Sequence, residues 1–189
     1  MLAANKRGYV DVFELDEEDG LHFRGALNTR TRGKVMSPHD IAFFRDRYIV
    51  LPGAGRDVPK HLGVYQVSGD GQQFWLVDDW EYVSGVSSGK LAGANRVVAA
   101  EEWVFVASHY SHRVGAIRLS EPGKPELEAT LSTAGYDPDG LVLADDKLFI
   151  GAGRTVEAVT VSDPAHPRPL AYFHGEPIFT KPEAGGDAN

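Results

Sequence analysis

The stretch that decides the fold is Trp103-Val104-Phe105-Val106, followed by Gly115-Ala116-Ile117-Arg118-Leu119, because this pair of short apolar runs recurs along the chain. The pair returns downstream as Lys147-Leu148-Phe149-Ile150 and Glu157-Ala158-Val159-Thr160-Val161, and upstream as Tyr48-Ile49-Val50-Leu51 and Gly63-Val64-Tyr65-Gln66-Val67. A fourth version of the second run is Asp11-Val12-Phe13-Glu14-Leu15. The ends of the second run, at Leu15, Val67, Leu119 and Val161, lie 52, 52 and 42 residues apart. Repeats of about 40–50 residues that hold several short strands are typical of β-propeller blades.

Short apolar runs bounded by Gly, Pro, Asp and Ser occur throughout the chain, whereas apolar residues at helical spacing do not. The sequence therefore predicts an all-β protein with four strands in each repeat. We expect a partial β-propeller over residues 1–176, followed by a flexible tail at 177–189. Its parts are an N-terminal half blade of two strands (8–31) and three complete four-stranded blades (37–85, 91–135 and 136–175).

Three and a half blades cannot close a ring, because a propeller needs about four to eight blades and each blade buries its faces against its neighbours. Two explanations are open at this point. Either the sequence is the C-terminal part of a longer propeller, or two copies form a homodimer that completes one ring. On its own, the chain as given leaves both end faces without a neighbour. We expect partial exposure, or cover by another copy, at Val12, Phe13, Leu148 and Phe149.

Composition excludes several classes of function. A net charge of −8 opposes the basic surface that nucleic-acid binding needs, so we expect no nucleic-acid partner. The chain has no Cys, which excludes disulfides and thiolate metal sites. No apolar run approaches the roughly 18 residues of a membrane helix, so we expect no membrane span. Composition leaves the cellular compartment unknown.

One turn carries a family resemblance. Ser162-Asp163-Pro164-Ala165-His166-Pro167 joins a third strand to a fourth, and Ser120-Glu121-Pro122-Gly123-Lys124-Pro125 matches it with Glu in place of Asp. This pattern resembles the LVIVD-repeat β-propellers, whose third strand ends in Asp or Ser before a D-P-x-x-P turn. The earlier turns at 16–20 and 68–71 lack both prolines, so the resemblance covers about two blades. It implies a binding or scaffold propeller that is extracellular or part of the cell envelope.

The loops that enter the first strand of each blade are expected to meet around the propeller axis. They read Ser37-Pro38-His39-Asp40, Gly93-Ala94-Asn95-Arg96 and Asp137-Pro138-Asp139-Gly140. This alignment puts His39, Asn95 and Asp139 at equivalent positions facing one mouth. With their neighbours and one arginine from a second-to-third-strand loop, the candidate ligand-binding residues are His39, Asp40, Asn95, Arg96, Arg113 and Asp139.

Two interpretations of the three equivalent residues are open. Imidazole and oxygen donors that converge on one axis could hold a divalent metal ion, with His39, Asn95 and Asp139 as its ligands. The other interpretation is structural, because Asp, Asn and His before a strand commonly bond nearby backbone groups. A position repeated in each blade favours a repeated structural role. The sequence thus predicts either no cofactor or one divalent metal ion.

The second-to-third-strand loops add further polar candidates. Arg56, Arg113 and Arg154 fall in register, and they could form an anion-binding ring or pair with local carboxylates. His109 and His112 lie in one long polar loop, where we expect solvated side chains.

Two functions follow from these patterns. The leading hypothesis is a non-enzymatic propeller module that binds a protein, peptide or glycan at its loop face. The alternative is a metal-assisted, lactonase-like hydrolase with its site in the axial funnel, where Arg96 or Arg113 steers an anionic substrate.

Overall fold

The computed structural model describes residues 1–5, 7–18, 20–29, 37–45, 47–53, 62–69, 73–80, 91, 93–121, 126–134 and 137–175. All regular secondary structure in these residues is β-strand. In chain order the strands are β1 (Leu2–Asn5), β2 (Tyr9–Asp16), β3 (Gly20–Asn28), β4 (Ala42–Phe44), β5 (Tyr48–Pro52), β6 (Leu62–Val67), β7 (Phe74–Trp80), β8 (Ala94–Ala100), β9 (Trp103–Ser108), β10 (Arg113–Arg118), β11 (Glu126–Ser132), β12 (Pro138–Ala144), β13 (Lys147–Ala152), β14 (Thr155–Thr160) and β15 (Arg168–His174). The described part of the chain contains no helix long and apolar enough to cross a membrane.

The strands form four antiparallel sheets in which neighbouring strands follow chain order. We name them the N-terminal sheet (β1–β3), blade one (β4–β7), blade two (β8–β11) and blade three (β12–β15). Short connections favour this arrangement, because antiparallel neighbours can be joined by a tight turn. The sheets confirm the predicted all-β class and the three complete four-stranded blades. The tail predicted at 177–189 lies outside the described residues.

The N-terminal sheet has one strand more than the two that the sequence predicted. β1 pairs antiparallel with β2, from Leu2 opposite Val12 to Asn5 opposite Tyr9. The sheet therefore corresponds to the second, third and fourth strands of a blade. The sequence signal of β1 is weak because its four residues, LAAN, include no β-branched or aromatic side chain.

Every sheet shows the same irregularity between the strands in the third and fourth positions of a blade. These strand pairs are β2–β3, β6–β7, β10–β11 and β14–β15. The register shifts by one residue after Val12, Val64, Ala116 and Ala158. These four positions have the same spacing of 52, 52 and 42 residues as the sequence repeat. A β-bulge adds one residue to a strand and increases its local twist. The repeat in the sequence is therefore also a repeat in backbone geometry.

Tight turns join the first and second strands of each blade. The backbone φ angle is +47° at Arg45, +53° at Glu101 and +52° at Asp145. Positive φ matches the twist that short hairpin turns require. A tight turn with a polar residue at positive φ is thus present in all three blades.

Asp163 organises the turn between β14 and β15. Its carboxylate accepts a hydrogen bond from the N–H of Ala165 at 3.2 Å, and it pairs with His166 Nδ1 at 2.9 Å. The hydrogen bond with His166 lowers the pKa of the Asp163 carboxyl below its ordinary value. Asp commonly stabilises turns by bonding the backbone two residues on. The second copy of this motif, at 122–125, lies outside the described residues.

Three apolar clusters fill the spaces between neighbouring sheets. The cluster between the N-terminal sheet and blade one contains Val10, Leu27, Ile49, Leu51, Tyr65 and Phe74. The cluster between blades one and two contains Phe44, Val50, Leu62, Val64, Val97, Val104, Val106 and Ile117. The cluster between blades two and three contains Phe105, Ala107, Val114, Leu148, Ile150 and Val159. The blades thus hold one another in place, as expected for radial repeats.

The two end faces of this stack are apolar and exposed. On blade three, Val142, Val156 and Phe173 expose 60%, 43% and 57% of their surface. On the N-terminal sheet, Leu15 and Phe23 expose 73% and 61%. Contiguous exposed apolar surface of this kind commonly marks an interaction site.

The residues predicted to be exposed on the end faces behave differently from one another. Phe13 and Phe149 are partly exposed, as expected, whereas Val12 is partly exposed but packs against the cluster between the N-terminal sheet and blade one. Leu148 is not, because it exposes only 2% of its surface. Adjacent strand residues point to opposite faces of a sheet, and Leu148 belongs to the face that packs against blade two.

We expect the purified chain to self-associate through its end faces, because they expose several large apolar side chains. Sedimentation velocity over a concentration series should show reversible association, and Phe173→Glu or Phe23→Glu should weaken it. Phe43→Glu is the matched control, because Phe43 is also 57% exposed but lies on the inner strand of blade one. A monomer at all concentrations would contradict this expectation. Completion of the ring by a second copy stays a prediction.

Candidate functional site

The innermost strands of the blades bulge at the residues that the sequence singled out. The register between first and second strands shifts by one residue across Asn95 in blade two and across Asp139 in blade three. In blade one, the bridge between Pro38 and Gly53 is offset by one residue from the ladder that starts at Ala42. Bulges re-aim side chains, and they are common beside functional sites. Equivalent backbone geometry therefore underlies the equivalent sequence positions.

These bulges open onto one cavity of about 230 Å³. It takes residues from all three blades, and its lining consists of His39, Gly93, Asn95, Arg96, His109, Tyr110 and Asp139. Sites for drug-sized ligands usually measure about 300–1,000 Å³, so this cavity suits a small molecule. The structure thus brings together His39, Asn95, Arg96 and Asp139 from the predicted set.

Asn95 and Asp139 form the centre of the site. The Asn95 side chain donates from Nδ2 to Asp139 Oδ1 over 2.6 Å. Because a carboxylate can only accept, this contact fixes which end of the amide faces Asp139. Asn95 is only 4% exposed, and its Oδ1 is buried without a hydrogen-bond partner in the described part of the chain. A buried acceptor without a partner costs about 1–3 kcal/mol.

Arg96 connects blades two and three. Its Nε donates to the backbone carbonyl of Asp139 at 2.6 Å, and its Nη1 donates to the carbonyl of Asn95 at 3.0 Å. Two of the guanidinium donors are therefore engaged with the backbone that carries the cavity. These bonds give Arg96 a structural role, whereas the sequence suggested that it steers an anion.

His109 lies between two carboxylates. Its Nδ1 is 3.4 Å from Asp139 Oδ1, and its Nε2 is 3.4 Å from Asp137 Oδ2. On its far side Asp137 also pairs with His112, whose Nδ1 is 3.0 Å from Oδ1. The two histidines expected to be solvated are thus partly exposed but held by contacts with carboxylates of blade three. Sequence reasoning missed this role because Asp137 and His109 belong to different blades.

Tyr110 forms the aromatic wall of the cavity and packs on Gly93. Gly93 has a φ of +75°, and a Cβ built on it would lie 2.4 Å from Tyr110 Cδ2. The Tyr110 ring also meets the His109 ring edge to face, with centroids 5.1 Å apart. Tyr110 remains 45% exposed, so it offers an aromatic surface to a ligand.

Asp40 and Arg113 are not among the residues that line the cavity. Asp40 accepts hydrogen bonds from the N–H groups of Ile41 at 2.9 Å and Val97 at 3.0 Å, which joins blades one and two. Arg113 begins β10, in register with Ser108 of β9. For Asp40 the structural interpretation of these loops is the one that its contacts support.

The predicted ring of arginines is not formed at this cavity by the residues that the structure describes. Arg154 lines a different, shallow cavity with Val156 and Phe173 on the open side of blade three. Arg56 lies outside the described residues. Within the described ranges, no group of three or more His, Asp or Glu side chains is arranged to hold a metal ion. The metal site at His39, Asn95 and Asp139 stays a prediction.

Asp40→Ala is expected to lower the free energy of unfolding by about 1–3 kcal/mol, because it removes charge-assisted hydrogen bonds to two blades. Ligand affinity of the folded protein should not change. Urea unfolding and calorimetry check the two parts, and Asp40→Asn serves as the conservative control that keeps an acceptor. Lost binding at unchanged stability would instead make Asp40 a ligand-binding residue.

No protein-family model matches the sequence, and no curated protein matches it either. Solved structures do match. The periplasmic gluconolactonase of Pseudomonas aeruginosa is similar with a TM-score of 0.71 and 16% identity, covering 95% of this chain and 55% of that one. A putative 6-phosphogluconolactonase from Bacteroides uniformis gives a TM-score of 0.69 and 12% identity, covering 93% of this chain and 54% of that one.

A third similar structure is a functionally unknown protein from Desulfotomaculum acetoxidans, with a TM-score of 0.55 and 9% identity, covering 92% of this chain and 66% of that one. This chain spans about half the length of the two lactonase-type structures. At these identities the likeness concerns the fold alone. The resemblance to LVIVD-repeat propellers stays a prediction. Together with the four-stranded antiparallel sheets, the likeness confirms that this chain has the β-propeller architecture.

Proposed function

We propose that this chain carries the substrate site of a lactone-hydrolysing β-propeller. The observation that supports the proposal is the convergence of two imidazoles and a carboxylate, from His39, His109 and Asp139, on one small cavity. Such groups are the usual general acids and bases of enzymes. The fold likeness to two lactonase-type structures adds support by analogy only.

Each histidine has a role in the proposed reaction. The His39 imidazole takes a proton from a water molecule while the water oxygen bonds to the lactone carbonyl carbon. His109 gives a proton to the ring oxygen as the bond from that oxygen to the carbonyl carbon breaks. The product is the open-chain hydroxy acid, and solvent returns the proton from His39 to His109. Asp137 and Asp139 hold the His109 ring in the cavity for this step, because one carboxylate oxygen of each lies 3.4 Å from one of its nitrogens.

The metal-assisted form of this hypothesis fits the contacts less well. It needs His39, Asn95 and Asp139 to share one ion, but the Asn95 NH₂ group faces Asp139, whose Oδ1 accepts its hydrogen bond. Asp139 Oδ1 also lies 3.4 Å from His109 Nδ1, so an ion at this atom would displace existing contacts, although Asn95 Oδ1, the amide atom that ligates metals, has no partner among the described residues. We therefore assign the proton transfers to the protein side chains.

A binding module without turnover is the second candidate. The unpartnered Asn95 Oδ1 and the half-exposed Tyr110 ring favour it, because both features recognise a ligand without transferring a proton. A glycan-type ligand fits these features better than an extended peptide, because the cavity is small. Protein, peptide or glycan binding at the loop face was the leading hypothesis from the sequence.

The deciding experiment is hydrolysis of D-glucono-1,5-lactone by the purified chain, followed by pH-stat titration against the spontaneous rate. The proposal expects saturable hydrolysis well above that background. Saturable binding with no rate above background would support the binding module and overturn the hydrolase. Added EDTA or divalent cations should not change the rate, and a metal requirement would restore the metal-assisted hypothesis.

A further inference from the structure

We propose that Asn95 determines which ligand this cavity accepts, by receiving a hydrogen bond at Oδ1 from a hydroxyl of an uncharged, polyhydroxylated ring that lies against Tyr110. The inference concerns the same cavity as the proposed function and rests on it for the location of the ligand. It does not depend on hydrolysis.

The first argument is the unpartnered acceptor. Asn95 is 4% exposed and lines the cavity, and its Oδ1 lacks a hydrogen-bond partner among the described residues. The amide cannot rotate to remove the problem, because its Nδ2 is held by Asp139 at 2.6 Å. A ligand that donates a hydrogen bond satisfies this atom, and one without a donor leaves it unpaired. Sites of this kind discriminate strongly against ligands that lack the donor.

The second argument concerns charge. The Asp139 carboxylate already has two partners. Its Oδ1 accepts a hydrogen bond from Asn95 Nδ2 and lies 3.4 Å from His109 Nδ1. A cationic ligand would compete with His109 for the same carboxylate. Hydroxyls remain the donors that fit without displacing an existing contact.

The same reasoning disfavours a phosphorylated ligand. Phosphate binding needs several N–H donors, best supplied by a guanidinium in bidentate geometry. Arg96 is the one arginine among the described residues that line the cavity, and two of its donors hold backbone carbonyls. The Asp139 carboxylate on the neighbouring blade three would also repel a phosphate. The contacts therefore favour an unphosphorylated ring.

The third argument is the aromatic wall. Tyr110 cannot move towards Gly93, because the ring already fills the space where a Cβ would stand. The ring is thus blocked on the side of Gly93, and its exposed 45% lies in the same cavity as Asn95. Rigid aromatic side chains provide contact area at low entropic cost, and a saturated ring with apolar C–H faces can pack on one.

The test measures binding of 1,5-anhydro-D-glucitol, a neutral ring without a reactive carbonyl, to the unmodified chain by titration calorimetry. Its monodeoxy analogues remove the hydroxyls one at a time, and its 6-phosphate adds charge. We expect one deoxy analogue to bind about 10- to 100-fold more weakly than the parent ring, because it leaves Asn95 Oδ1 unpaired. The phosphate should bind at least about tenfold more weakly.

A substitution of Asn95 tests whether this residue causes the difference in affinity between the parent ring and the deoxy analogue. Asn95→Leu has a similar shape without polar atoms and should bind the parent ring and the sensitive deoxy analogue equally weakly. Asn5→Leu is the matched control, because Asn5 Nδ2 also donates to an aspartate, Asp11, at 3.2 Å but lies in the N-terminal sheet. If Asn95→Leu does not fold, the deoxy series on the unmodified chain still decides the question.

The outcomes separate this inference from the proposed function. Ring binding with a sensitive hydroxyl but no lactone hydrolysis would support the inference and overturn the hydrolase. Lactone hydrolysis with equal binding of all deoxy analogues would overturn the inference and keep the hydrolase. Failure of the ring to bind, or tighter binding of its phosphate, would also overturn the inference.

Discussion

His39→Ala and His109→Ala are each expected to lower kcat for lactone hydrolysis by about 10²- to 10⁴-fold, the usual contribution of a positioned general acid or base. Both imidazoles line the cavity, and each carries one of the two proton transfers in the proposed reaction. The KM should change much less than kcat, because neither side chain is assigned the main binding contact. Initial rates over a range of substrate concentrations, corrected for spontaneous hydrolysis, give both constants.

The matched control is His166→Ala. His166 also pairs with a carboxylate, that of Asp163 at 2.9 Å, but it lies on the exposed turn between β14 and β15. Its replacement should leave kcat within about twofold. Equal small effects of all three substitutions would remove the histidines from the reaction. Thermal melts of each variant separate a catalytic loss from unfolding.

The repeat made the architecture predictable from sequence. Strand residues alternate between two faces, and a fixed spacing of apolar runs keeps that alternation in phase from blade to blade. Because the repeats stay in register, His39, Asn95 and Asp139 fall at equivalent positions in the sequence itself. The bulges that re-aim them carry no strong sequence signal of their own.

The rest of the site depends on contacts between blades. Asp40 is next to His39 in sequence but bonds the backbone of blade two, because adjacent residues of an extended chain diverge. Tyr110 and His109 belong to a loop whose polar sequence resembles any solvated loop. Only the position of Asp137 on the next blade shows that His109 is held.

For Leu148 and β1 as well, contacts between elements decide what the local sequence leaves open. The sequence placed Leu148 in a strand but did not define which face meets blade two, so its exposure was predicted wrongly. β1 forms because β2 presents an edge with which it can pair from Leu2 to Asn5. Tertiary pairing of this kind overrides weak local propensity.

Gly93→Ala is expected to lower the free energy of unfolding by about 2–4 kcal/mol, and to lower ring binding and kcat/KM by at least about tenfold. A side chain at a φ of +75° is strained, and the new Cβ would meet Tyr110 Cδ2 at 2.4 Å. Because Gly93 directly precedes β8 and its carbonyl accepts a hydrogen bond from the N–H of His109 at 3.0 Å, the Tyr110 ring has to move and the cavity wall moves with it. Urea unfolding and the lactone assay measure the two effects.

Gly153→Ala separates backbone strain from displacement of the ring. Gly153 has a φ of +59°, but a Cβ there meets nothing within 4 Å, so we expect a loss of about 1–2 kcal/mol and unchanged activity. Gly93→Ala in a Tyr110→Ala background should likewise cost only the backbone strain, because the clashing ring is absent. Equal stability losses for the two glycine variants, with activity intact in both, would mean that the position of Tyr110 does not shape the site.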